Sequence, residues 1–482
     1  MNSYLILFVL IGYFALLLLV SYITGRKATD NEAFFTARHS SPWWVVAIGM
    51  VGASISGVSF VSVPGMVGGI QFSYMQTVFG FFIGYLLIAN VLLPLYYRLQ
   101  LTSIYTYLGQ RFGNRSYTTG ASFFLLSKTL GAAARLYVVA LILQTMVFDT
   151  WKVPFWLTIT VILLMIWLYT YRSGIKSIVW TDTLQTIVML AALVIMVHKM
   201  LEMNGLSAGS FIDELSTDAK SRIFVFDDWI SKQHFVKQFF SGIFIAVVMT
   251  GLDQDMMQKN LTCRNLKDAQ KNMYWYGIAF IPFNLLFLML GWLMLTFAQT
   301  NGITLPAAGD QLLPYFAQHF FGTAVMLMFV TGIIAAAFSS ADSALTALTT
   351  SFMVDILKVG SADRRKSLRM SIHAAISLLF VMIVLIIRQM NDRSIIDTIY
   401  VLVSYTYGPL LGMFAFGLFT RLKPNDRHVP FLSVAAPVIC YFGNELSIRF
   451  TGYAFGYELL LLNGFLMFTG LYISSKYGNK KS

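Results

Sequence analysis

Residues 43–69 read WWVVAIGMVGASISGVSFVSVPGMVGG, an apolar stretch that nevertheless holds six glycines, four serines and a proline. Small residues serve two purposes in a bilayer. They let helices pack closely, or they mark an interrupted span whose freed carbonyls and half-helix ends meet ions and solutes at mid-membrane. A second weak point, SGIFIAVVMTGLDQDMMQ at residues 241–258, follows five spans later. Two broken spans at corresponding positions are the mark of an inverted repeat. The sequence therefore predicts repeats over 43–201 and 235–419, with one extra span before them (4–23) and two after (429–475).

Composition agrees with this reading. Of the 482 residues 57% are hydrophobic and 12% charged, and the mean hydropathy is +0.69. Soluble domains carry about 25% charged residues. Apolar runs of about 20 residues, each able to cross roughly 30 Å of hydrocarbon as a helix, recur with short polar breaks. Thirteen are predicted, at 4–23, 43–69, 73–97, 118–148, 153–171, 177–201, 235–258, 273–298, 321–356, 368–388, 395–419, 429–447 and 453–475. The expectation is an all-α, multi-pass protein of the cell membrane with the lipid bilayer as its solvent.

The net charge of +12 sorts by side of the membrane. With the N-terminus outward, Arg26, Lys27, Arg38, Arg98, Arg111, Arg115, Arg172, Lys176 and, at the far end, Lys480 and Lys481 all fall inside. In total 23 of the 34 basic residues fall on the inner side, 9 on the outer and 2 within a span. That bias predicts an N-out, C-in topology and needs no nucleic acid as partner. Gly25-Arg26-Lys27 follows the first span and no basic residue precedes it, so it reads as an anchor rather than a cleaved signal. The two cysteines, Cys263 and Cys440, and the six histidines show no metal-ligand spacing. The acidic and aromatic outer segment of about 202–234 reads as a lid, a short amphipathic surface helix or a plain connector.

Ionisable groups inside a span are costly and mark function or pairing. Four stand out: Lys128, Arg135, Asp182 and Asp342. Arg135 offers a planar fork to a carboxylate, whether of a solute or of an aspartate. Lys128 lies two turns nearer the inner side, where a lysine is also able to snorkel. Asp182 opens its span and suits an N-cap as well as a binding role. Asp342 sits in AAAFSSADSALTALTT (335–350), far from either span end, with Ser339 and Thr346 on its helical face and Ser340 and Ser343 beside it. Hydroxyl, carbonyl and carboxylate oxygens of this kind suit an alkali cation.

The segments YYRLQLTSIYTYLGQRFG, SGIKSIVWTDTLQTIVM and GLDQDMMQKNLTCRNLKDAQ, together with the broken second span, resemble the sodium:solute symporter family over nearly the whole chain. The resemblance implies a LeuT-like fold of inverted five-helix repeats with about 13 transmembrane helices, and sodium as the co-transported ion. Matched residue by residue, it implies a sodium site from carbonyls of Gly52 and Ile55 and from Ala336, Ser339 and Ser340. Some members hold a second sodium on the aspartate matching Asp182 and on serines matching Ser343; Asp342 stands where those members have serine. The resemblance further places Ser54, Ser56, Ser59 and Arg135 near the solute.

Where proline carriers have an aspartate this chain has Ser54, and where sugar carriers have a glutamine it has Ser59. An organic anion, a sugar acid such as sialic acid or a monocarboxylate, is thus the expected solute. A neutral sugar, an amino acid or a vitamin is the alternative. No nucleophile, metal or acid-base constellation suggests an enzyme. A membrane sensor predicts a signalling domain after the last span, where the sequence ends in KYGNKKS. A passive channel predicts flux indifferent to sodium.

Overall fold

Without water to take its hydrogen bonds, a backbone in hydrocarbon satisfies itself as a helix. The computed structural model describes residues 3–26, 30–171, 174–360, 365–390 and 395–477. Among them, regular structure is helical apart from a single isolated bridge between Ser41 and Cys263. Lys27, Arg172, Lys480 and Lys481, counted above among the inner basic residues, lie outside the described residues.

Every predicted span falls on helix. The first is α1, Ser3–Gly25. The second breaks into α2a, Trp43–Ser54, and α2b, Gly57–Ile70, bent by 60°. Then come α3 (Tyr74–Arg98), α4 (Asn114–Leu143), α5 (Phe155–Thr170) and α6 (Ile175–Asn204). The seventh span breaks into α7a, Phe235–Gly251, and α7b, Gln254–Leu261, bent by 64°. It is followed by α8 (Leu266–Thr300), α9 (Gly322–Ile356) and α10 (Lys366–Met390). Span eleven is two short helices, α11a (Ile395–Thr406) and α11b (Gly408–Phe419), and the chain continues into α12 (Val429–Thr451) and α13 (Leu459–Tyr477).

The two sharp bends fall where the sequence places them, in the second span and five spans later. At the first, Ile55 adopts φ −80° and ψ 82°, and its neighbour Ser56 donates its N–H to the Ser54 carbonyl at 3.1 Å. This is the inverse γ-turn geometry, and it takes the Ser56 N–H out of the helical ladder.

Three of the boundaries that differ from the sequence reading have a local cause. Helix α7b runs to Leu261 rather than ending at 258, because its polar residues are buried by pairing with other helices. Helix α6 begins at Ile175, so Asp182 is two turns inside and caps nothing. Helix α13 begins at Leu459 rather than 453: the Gly456 N–H donates to the Glu458 carboxylate at 3.0 Å and the Tyr453 hydroxyl pairs with the same group, which folds 453–458 into a turn.

The broken helices are gripped by unbroken ones. Helix α2a lies on α6, α2b on α8, α7a on α3, and α6 and α9 face each other along much of their length. At one end of the bundle, the one predicted to face inward, the connector 30–41 forms a plug. Its Phe34 and Phe35 are fully buried, Gln258 donates to the Phe35 carbonyl at 2.7 Å, and Ser41 pairs with Thr262 at 3.0 Å. At the other end the long segment after α6 forms the surface helix Ala208–Thr217, started by a Ser207–Ser210 capping box and seated through Phe211 against Trp292.

Candidate functional site

Cation corner. The break in α2 lies against the middle of α9. A Cβ on Gly57 would stand 3.7 Å from the Ile333 carbonyl, and one on Gly332 would stand 3.1 Å from the Phe60 ring. Ala336, Ser339 and Ser340 follow within two turns of Ile333, on a helix in which every residue from Ile333 to Ser351 is buried. Gly52 and Ile55 are buried on the facing helix, and Gly52 has no room for a side chain: a Cβ would stand 2.0 Å from Thr186 Oγ1 of α6. The structure thus sets the α2 break against α9 one to two turns before Ala336, Ser339 and Ser340. Ser340 donates to the carbonyl of Ala336 or Ala337, each 3.1 Å away.

The hydroxyl of Ser339 donates to Asp182 Oδ1 at 2.6 Å. A hydroxyl has one proton and two lone pairs, so this bond leaves Ser339 an acceptor towards anything else. Ser343 donates to Asp182 Oδ2 at 3.3 Å. Lys259 Nζ lies 2.7 Å from the same oxygen, and both charged side chains are fully buried. Asp342 turns elsewhere: its Oδ2 accepts from the Tyr169 hydroxyl of α5 at 2.7 Å, while its Oδ1 has no hydrogen-bond partner among the described residues.

Solute cavity. Beside the break lies a cavity of about 80 Å³. Ser54, Lys128 and Arg135 line its polar side, and Phe81, Ile245 and Phe280 belong to its apolar wall. The Ser54 hydroxyl is 2.6 Å from that of Tyr276, which donates to Tyr85 at 3.0 Å. Lys128 is held by Asp253 at 3.2 Å and Asp255 at 2.7 Å, and Tyr407, between α11a and α11b, donates to Asp253 at 2.6 Å. Arg135, half-buried on α4, makes no hydrogen bond or ion pair among the described residues. Ser56, the N-cap of α2b, and Ser59 on it do not line the cavity.

Lys259, Asp253, Asp255 and Tyr169 are the polar partners that sequence reasoning missed. For Asp253, Asp255 and Lys259 the one signal is the density of charge in DQDMMQK directly after an apolar run; Tyr169 carries no such signal.

Comparisons with known proteins give the family and the fold. The family model described as "Sodium:solute symporter family" matches residues 34–425. The sodium/sialic acid symporter of Proteus mirabilis is 24% identical over 474 residues, covering 92% of this chain and 91% of the relative. The sodium-coupled monocarboxylate transporter 2 of Bos taurus is 26% identical over 418 residues, 82% of this chain and 64% of the relative. Among solved structures, a Na+-coupled sialic acid symporter in a substrate-bound outward-open state superposes with a TM-score of 0.82 at 18% identity, covering 99% of this chain and 98% of that one. Mhp1, a nucleobase-cation-symport-1 family transporter in a closed conformation, superposes with a TM-score of 0.56 at 16% identity, covering 93% and 96%. Both neighbours have the LeuT fold. The family model spans most of the chain, from the inner plug past the last helix of the second predicted repeat, and this protein belongs to the sodium:solute symporter family.

Proposed function

We propose that this chain is a sodium-coupled symporter that imports a small carboxylate-bearing solute by alternating access, with its N-terminus outside and its C-terminus inside. The observation that carries the solute class is Arg135, a guanidinium on the cavity wall that makes no hydrogen bond or ion pair among the described residues, beside a lysine already bound by two aspartates. An arginine fork left open in a partly dry cavity recruits a carboxylate in two parallel hydrogen bonds. The apolar wall of Phe81, Ile245 and Phe280 favours a monocarboxylate with an apolar tail. The hydroxyls of Ser54, Tyr85 and Tyr276 favour the second reading, a sugar acid admitted when the cavity widens.

Sodium binds, in this reading, between the carbonyls of Gly52 and Ile55 and the carbonyl of Ala336 with the hydroxyls of Ser339 and Ser340. It ties the α2 break to α9 and so fixes the edge of the cavity at Ser54. Because the ion and the solute stabilise the same arrangement, each tightens the binding of the other by the same factor. The test is uptake into proteoliposomes of lactate, a short fatty acid, sialic acid, proline and glucose, with and without sodium. The expected result is sodium-dependent uptake of a carboxylate, with Arg135→Lys raising its KM about tenfold or more, the loss of one charge-assisted hydrogen bond. Sodium-driven glucose uptake unaffected by Arg135→Lys would contradict the carboxylate reading.

A further inference from the structure

Both oxygens of Asp182 are in use. Ser339 donates to Oδ1 at 2.6 Å, Ser343 donates to Oδ2 at 3.3 Å, and the Lys259 ammonium stands 2.7 Å from Oδ2. None of the four side chains reaches solvent. The carboxylate that would ligate a second sodium, Asp182, is the group that holds this ammonium, Ser343 bonds the same oxygen, and the two cations carry equal charge.

We infer that Lys259 is a built-in cation that takes the place of a second sodium at Asp182, so that each chain binds one sodium ion. The inference rests on the sodium-site reading above. Two cations on one carboxylate oxygen repel strongly where the dielectric is low, and the lysine is tethered to α7b, so it neutralises Asp182 in every step without being released. Asp342 does not make up for the lost position. Its Oδ2 is taken by the Tyr169 hydroxyl of α5 at 2.7 Å. Ser339 touches both places, donating to Asp182 while its lone pairs remain for the sodium at Gly52, Ile55 and Ser340. Lys259 therefore sets the charge beside the sodium that is carried.

The experiment is equilibrium binding of sodium-22 to the purified full-length chain in detergent, with no solute present. The wild type is expected to bind one sodium per chain. Lys259→Ala frees Asp182, with Asp342 and Ser343 beside it, and is expected to bind two; Lys259→Arg keeps the tethered charge and is expected to bind one. Two sodium ions on the wild type overturn the inference, as does a count of one for Lys259→Ala. If Lys259→Ala does not fold, the wild-type count still decides. Ser340→Ala and Asp182→Asn separate the inference from the reading beneath it. Loss of the single sodium in Ser340→Ala supports both. Its loss in Asp182→Asn but not in Ser340→Ala places the ion on Asp182 and overturns the inference. No sodium on the wild type removes the sodium-site reading, and the inference with it.

Discussion

Lys128 shows what a charge in the membrane requires. Its ammonium bonds Asp253 at 3.2 Å and Asp255 at 2.7 Å, and Asp253 also accepts the Asp255 and Met256 backbone N–H groups at the start of α7b. Breaking such a buried set from one side strands the remaining charges and costs about 3–5 kcal/mol. Lys128→Met is therefore expected to lower the melting temperature of the detergent-solubilised protein sharply, and adding Asp255→Asn is expected to recover part of the loss. A melting temperature unchanged by Lys128→Met would contradict this role. Ser340 belongs to a different class. It is a single oxygen at the edge of the proposed sodium site, and its removal is expected to cost about 1–2 kcal/mol of sodium binding, roughly a 5- to 30-fold rise in the sodium needed for half-maximal uptake. An unaltered sodium dependence in Ser340→Ala would move the site elsewhere.

Among the elements, the broken α2 carries most of the design. It was legible because a run of glycines and serines in an otherwise apolar span conflicts with helix propensity, and the bend at Ile55 falls within that run. Why α2b sits so close to α4 and α9 was not legible, since contact across the bundle depends on partners far away in sequence. Gly57 makes the point: an added Cβ would stand 2.2 Å from Val139 Cγ2 of α4. Overpacking of this kind costs about 1–3 kcal/mol. Gly57→Ala is expected to lower thermal stability by that amount, with Val139→Ala in the same chain restoring part of it. Additive losses in the double variant would contradict the contact. The end of α7 was misjudged for a related reason. The sequence reading ends the span at 258, before Lys259, yet the buried helix continues past it because Lys128 and Asp182 meet Asp253, Asp255 and Lys259 from α4 and α6. Asp182 itself was legible as a charge in a span, but its depth followed only from where α6 begins.

For the whole molecule, two breaks lie five spans apart, bent by 60° and 64°, and the proposed ion and solute sites belong where the two predicted repeats meet. A rocking motion of one repeat against the other then exposes the same cavity to either side. The inner plug of 30–41, sealed by Phe34 and Phe35 and tied to α7b and the segment after it, must part for inward release. One sodium carried with one carboxylate moves no net charge, so the sodium concentration gradient alone drives accumulation, about 1.4 kcal/mol for each tenfold ratio. The most direct measurement of the central claim is solute-dependent sodium-22 uptake into proteoliposomes holding the full chain, across a panel of short monocarboxylates and sugar acids. The account predicts that a carboxylate from this panel drives sodium-22 uptake and that its own uptake ceases when choline replaces sodium. Carboxylate uptake that continues undiminished in choline, without sodium-22 entry, would contradict it.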